Sequence, residues 1–206
     1  MADGRLITIE GLDGAGKTTL ARGVEAALRA EGVAVSLLRE PGGVVLAERV
    51  RSLVKDSELT IAPRAEALLY ASARAQLVDE ALRPALDAGR WVLLDRFVDS
   101  SLAYQGAGRA LGVEAVAEIN AFATAGLKPD RTLLLRIDPT TGRARQKGRG
   151  EADRMEREDE AFFAAIAGAY DDLAAAEPER FRVLDASLSR DALLDAALQA
   201  LADLAR

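Results

Sequence analysis

The chain has 206 residues, half of them hydrophobic, which fits one compact domain with a sizeable core. It holds no cysteine and no histidine, so disulfides, thiolate or imidazole metal sites, a cysteine nucleophile and a Ser-His-Asp triad are excluded; carboxylates, lysine, arginine and hydroxyls are left to act. A net charge of −6 at pH 7 argues against general attraction to nucleic acid or anionic membranes. The stretch Met1 to Arg5 lacks a signal-peptide core and no run is long enough to span a membrane, so a cytoplasmic protein is expected. Lysine occurs only at positions 17, 55, 128 and 147, so most of the 27 basic residues are arginines, whose planar fork suits phosphate oxygens.

The first apolar run, residues 6–10 (LITIE), reads as a buried strand. It leads directly into GLDGAGKTT, which runs from Gly11 through Leu12, Asp13, Gly14, Ala15, Gly16, Lys17 and Thr18 to Thr19. Gly11, Gly16, Lys17 and Thr18 satisfy G-x-x-x-x-G-K-[ST], between a strand and the helical TLARGVEAALRAEG. The glycines let the backbone wrap so that its N–H groups face phosphate oxygens, and the following helix adds its positive end. Lys17 then reaches the β/γ-phosphates, and the Thr18 hydroxyl is placed to ligate Mg²⁺.

Further strands are expected at 33–38 (VAVSLL), 91–95 (WVLLD), 132–137 (TLLLRI) and 181–185 (FRVLD). Ala/Leu-rich segments of helical spacing separate them, and Gly32, Gly89 and Gly126 each follow such a segment where a helix end favours a left-handed residue. The pattern predicts a three-layer α/β fold, a five-stranded parallel sheet with helices on both faces, as a single domain over 1–206. Residues 39–44 (REPGGV) carry turn chemistry after the second strand. Residues 63–83 read as one helix opened by Pro63, with Tyr70 and Arg74 four apart on one face, suited to stacking on a base and donating to its carbonyl. A boundary tyrosine beside a surface arginine is the plainer alternative for that pair.

The third strand ends in Asp95, placed to hold a Mg²⁺ water shell or else to cap the segment at 99–109, and in Arg96, which can clamp a second phosphate. Ser101 and Gln105 are again four apart, and a glutamine amide both gives and accepts on a base edge. Residues 112–125 read as a helix. The charged, glycine-containing stretch 140–158 (TTGRARQKGRGEADRMERE) has scarcely any apolar stripe and reads as a mobile lid or a solvated loop.

In that order, GLDGAGKTT, LREPGG, AEALLYASARAQL, the strand-end DRF, DSSLAYQGAGR and GRGEADRME resemble bacterial thymidylate (dTMP) kinases, in the P-loop nucleoside monophosphate kinase family, along nearly the whole chain. The resemblance implies ATP-dependent phosphorylation of dTMP to dTDP with Mg²⁺, in a homodimer that supplies DNA precursors. It places Asp13 opposite the acceptor's sugar and phosphate. Arg39 and Pro41, often a cis proline in the family, fall beneath the acceptor. Tyr70 is implied to stack on the base, Arg74 to meet the thymine carbonyl and Arg96 to clamp the acceptor phosphate. Ser101, Tyr104 and Gln105 line base and deoxyribose, and Arg51 also faces the phosphate. Some members carry a basic residue within the loop, where this chain has Gly14, so the resemblance shifts the catalytic arginine to the lid, with Arg149 and Arg154 as the candidates. Val44 departs from the family's usual threonine. The rival expectations are a kinase for another nucleoside or nucleotide and a nucleotide-gated switch protein. Against a guanine-reading switch, LKPD at 127–130 lacks the asparagine of Asn-Lys-x-Asp and precedes its strand.

Overall fold

A computed structural model describes residues 3–146 and 154–204. Among these, β1 (Leu6–Gly11), β2 (Val35–Arg39), β3 (Trp91–Asp95), β4 (Arg131–Arg136) and β5 (Phe181–Asp185) form one parallel sheet in the order β2-β3-β1-β4-β5. Every residue of β1 is buried, as the central strand of a sheet covered on both faces must be. The expected three-layer α/β architecture is what the chain adopts. The bounds of β3 and β5 match the sequence reading, and those of β1, β2 and β4 differ from it by one or two residues.

One face carries α1 (Lys17–Ala30), α8 (Glu160–Ala176) and α9 (Arg190–Leu201), whose Leu20, Val24, Ile166, Tyr170 and Ala197 pack on Ile7, Ile9 and Leu133. The other carries α2 (Val45–Lys55) and α3 (Pro63–Leu77), whose Val50, Val54 and Leu77 meet Leu6, Val92 and Leu94. Helices α8 and α9 begin at side-chain caps: Asp159 accepts from Phe162 N at 2.8 Å and Ser189 from Ala192 N at 3.3 Å. Other helices end just before Gly32, Gly89 and Gly126, which take φ of 82°, 72° and 75°.

Three segments differ from the sequence reading. The helix opened by Pro63 passes through a π-helical turn at Val78–Leu82 into α4 (Arg83–Asp87) and so runs past residue 83. Pro84 has no N–H, and in a regular α-helix its ring would strike the carbonyl of Glu80; the wider turn absorbs both problems. After β3, α5 (Val98–Ser101) likewise opens into a π-helical turn, Leu102–Gly108, before α6 (Val113–Thr124). The lid stretch begins as a helix, α7 (Pro139–Gln146). Asp138 Oδ1 accepts from Thr140 N at 3.0 Å and Thr141 N at 3.1 Å, and proline at the first helical position fits the start.

In this strand order β1 and β3 are neighbours, with Ile9 paired to Asp95, while the chain leaves β1 toward β2 and leaves β3 toward β4. A crevice at the carboxyl ends of these two strands is therefore the expected ligand position.

Candidate active site

The loop after β1 supplies the first wall of that crevice. Gly11, Gly14 and Gly16 hold φ of 130°, 82° and 96°, conformations that L side chains rarely adopt. Leu12 and Ala15 turn into the core at 5% and 1% exposure, so those two residues offer their backbone alone to a ligand. No side chain caps α1, which leaves its first-turn amides for an anion. Lys17 is buried, and its Nζ donates to Gly11 O at 3.1 Å and Leu12 O at 2.9 Å, with Asp13 Oδ1 at 3.6 Å. Burial and the nearby Arg96 guanidinium push the lysine down to about 8, against the pull of Asp13.

Thr18 Oγ1 donates to Asp95 Oδ2 at 2.7 Å, so the two candidate Mg²⁺ ligands meet across α1 and β3. One hydroxyl and one carboxylate are hard oxygen donors, and among the described residues no cluster of three or more carboxylates forms a cage of its own. This donor set fits Mg²⁺, which keeps much of its shell as water and substrate phosphate oxygens.

The second wall is built around Arg96. Its Nη2 lies 2.5 Å from Asp13 Oδ1 and 3.1 Å from the Tyr104 hydroxyl, its Nη1 lies 3.0 Å from Ser100 Oγ, and its guanidinium covers the Tyr104 ring at 4.9 Å. Burial alone would raise the Asp13 carboxyl, but the Arg96 and Lys17 charges overcome it and hold it well below the usual range. Burial pushes Tyr104 up, so its phenol remains a donor. Arg96 has a φ of 72°, a left-handed conformation costly for a side-chain-bearing residue. Beneath it, Glu10 accepts from Phe97 N at 2.7 Å, Ser100 Oγ at 2.6 Å and the Tyr170 hydroxyl at 2.9 Å, fixing the backbone next to the arginine.

The third wall is a pair of facing helical segments. Glu66, Tyr70 and Arg74 recur every four residues on α3, opposite Ser101, Gln105 and Arg109, which recur at the same interval. Arg74 is 1% exposed and its N–H groups are directed into the protein. Nε meets Glu40 Oε2 at 2.8 Å, Nη1 meets Ser101 Oγ at 2.9 Å and the Asn120 side-chain carbonyl, and Nη2 meets Phe97 O at 2.9 Å and Glu40 Oε2 at 2.6 Å. Burial pushes the Glu40 carboxyl up to about 7, against the pull of Arg74.

These walls enclose one cleft of about 290 Å³. Of the residues singled out in the sequence, Asp13, Gly14, Gly16, Lys17, Thr18, Thr19, Arg39, Pro41, Arg51, Tyr70, Arg74, Asp95, Arg96, Ser101, Tyr104 and Gln105 all line it. The Glu40-Pro41 bond is cis, Arg51 Nη1 donates to Pro41 O at 2.9 Å, and Arg39 Nη2 pairs with Glu48 at 2.8 Å. Arg154 is not brought to the cleft: its Nη1 lies 2.6 Å from Glu66 Oε2 and its Nε donates to Val54 O at 3.2 Å. Arg149 lies outside the described residues. Sequence reasoning missed Glu40, Lys55, Ser100, Met155 and Glu156, which also line the cleft. Spacing offered a signal for one of them, since Lys55 is four residues from Arg51 on α2.

The lid and the loop touch through glycines. A Cβ on Gly14 would collide with the carbonyl oxygen of Gly142 in α7, and a Cβ on Gly142 would sit 2.9 Å from Asp13 O. A basic side chain at position 14 is thus incompatible with this placement of α7.

Comparison with known proteins agrees with this geometry. The family profile described as thymidylate kinase matches residues 9–196. A thymidylate kinase of Deinococcus radiodurans is 51% identical over 193 residues, 94% of each chain, and one of Alkalilimnicola ehrlichii is 46% identical over 98% of this chain and 94% of its own. The crystal structure of thymidylate kinase from Ehrlichia chaffeensis superposes with a TM-score of 0.73 at 28% identity, covering 88% of this chain and 93% of that one. With a family profile over nearly its whole length and relatives this similar from end to end, the chain belongs to the thymidylate kinase family.

Proposed function

We propose that the chain transfers the γ-phosphoryl group of ATP to the 5′-phosphate of dTMP, yielding ADP and dTDP. The observation that carries this reading is a single cleft in which the Gly11 to Thr19 loop faces a second anion clamp, Arg96 with Asp13, and a base-sized wall, Tyr70 with Ser101 and Gln105.

In this mechanism the loop amides and Lys17 hold the donor's phosphates, and Lys17 turns from the Gly11 and Leu12 carbonyls toward them. Thr18 and Asp95 would hold Mg²⁺, which supplies neutralisation of phosphate charge. Arg96, with Arg39 and Arg51 at the rim, orients the acceptor phosphate so that one of its oxygens attacks the γ-phosphorus in line as the ADP oxygen leaves. Tyr70 stacks on the thymine, while Arg74 shapes the wall behind it. Asp13, kept ionised, holds Arg96 in register. The lid over 140–158 closes over the donor and excludes water, and Arg149 stabilises the migrating charge. A cytoplasmic homodimer is part of the same reading. Among the described residues no helix is long and apolar enough to cross a membrane.

The test is diphosphate formation in a coupled assay with ATP, Mg²⁺ and each nucleoside monophosphate in turn. dTMP is expected to give the highest kcat/KM, with little ATP turnover in its absence. Equal rates on dTMP and dCMP, or rapid turnover of ATP alone, refute the assignment.

A further inference from the structure

Glu66 is fully buried, yet it lies at the centre of a polar contact between α3 and the turn Leu102–Gly108. Gln105 Nε2 donates to its Oε1 at 2.9 Å, Arg109 Nη2 lies 3.2 Å and Arg154 Nη1 2.6 Å from its Oε2. Arg109 is held in turn by Glu158 at 2.5 Å and by the face of the Phe162 ring at 4.8 Å. With two guanidiniums against it, Glu66 is a carboxylate, and a carboxylate accepts only.

We propose that Glu66 is a specificity-determining positioning residue that fixes which end of the Gln105 amide faces the base. An amide side chain has a carbonyl oxygen and an NH₂ of nearly equal size, and its sense is decided by its partners. Against an acceptor-only neighbour the NH₂ must turn to Glu66, which leaves the carbonyl oxygen toward the cleft that Gln105 lines. That oxygen accepts from a ring N–H, which thymine and uracil carry at N3, and repels the N3 lone pair of cytosine. The neighbouring Arg74 has its N–H groups on Glu40, Ser101, Asn120 and Phe97 and lines the same cleft beside Gln105. The proposal rests on the dTMP-kinase reading above.

The test compares kcat/KM for dTMP and dCMP in the unaltered enzyme, in Glu66→Gln and in Glu66→Asp. A glutamine at 66 offers either an oxygen or an NH₂ to Gln105, so the amide is free to flip. The preference for dTMP should fall about tenfold or more. Aspartate still only accepts, so Glu66→Asp should keep the preference within about threefold even where KM rises. A preference unchanged in Glu66→Gln overturns the role of Glu66 alone, whereas an unaltered enzyme that does not prefer dTMP overturns the substrate reading and this proposal together. Should Glu66→Gln fail to fold, the Gln105 side-chain amide of the ¹⁵N-labelled unaltered chain, assigned by its loss in Gln105→Leu, decides the matter. One of its protons should resonate downfield and resist solvent exchange; two freely exchanging protons overturn the proposal.

Discussion

Arg96 adopts a φ of 72° at the end of β3, where its backbone N–H still donates to Ile9 O at 3.0 Å. The left-handed conformation costs about 1 to 2 kcal/mol for a residue with a Cβ, and it is offset by the contacts of the guanidinium with Asp13, Tyr104 and Ser100. Arg96→Ala and Arg96→Gly both lose those contacts, but only glycine escapes the backbone cost. Thermal denaturation should therefore find Arg96→Gly more stable than Arg96→Ala by about 1 kcal/mol, while both lose on the order of 10² or more in kcat/KM for dTMP. Lys17 gives a second expectation. Its ordinary value is 10.5 and in the folded protein it is pushed down to about 8, so the charged form that grips phosphate is present below that pH and lost above it. The kcat/KM for ATP should fall as pH rises through about 8, and the corresponding limb in kcat should lie higher because bound phosphates favour the ammonium. A profile flat to pH 9.5 would show that the lysine keeps its charge over that range and would overturn its lowered pKa.

At the scale of elements, the pairing of α7 with the loop after β1 depends on the bare backbone of Gly14 and Gly142. Gly142→Val should displace α7 and lower kcat at least about tenfold with a smaller change in melting temperature, since α7 belongs to the lid and not to either core cluster. Enzyme assay beside thermal denaturation separates the two effects. The strands were legible in the sequence because β1, β3 and β4 are apolar runs bounded by turn residues. Helix α7 was not read as a helix because Thr140, Arg143 and Arg145 offer no apolar stripe, although Asp138 followed by Pro139 is a start signal. Tyr70 with Arg74 and Ser101 with Gln105 were legible from spacing. The same interval extended one step reaches Glu66 and Arg109, but nothing in the sequence tells that the two rows face each other. Arg154 is a catalytic candidate through the resemblance alone, and its pairing with Glu66 has no signal in the sequence: Glu66 is distant along the chain, and packing sets the contact between α3 and the turn at 154–157.

Over the whole molecule, the helices on the α2 and α3 face keep large apolar side chains at the surface: Leu53 on α2, Leu68 on α3 and, at 91% exposure, Phe122 on α6. Helix α3 packs between α2 and α6, so the three contribute to one side of the domain. Exposed apolar side chains on neighbouring helices suit the proposed second copy of the chain, and Phe122→Glu should shift sedimentation equilibrium from that dimer toward monomer. A single monomeric species for the unaltered chain would dismiss that assembly.

The glycine contact between the phosphate loop and the lid also limits how the enzyme can be redesigned. A library randomised at position 14 alone, grown under selection for activity, should return glycine almost without exception, because each larger residue meets main-chain atoms that have no rotamer to yield. Transplanting a loop-borne arginine into this scaffold therefore calls for simultaneous recoding of the stretch around 142, so the two positions should change together or stay as they are.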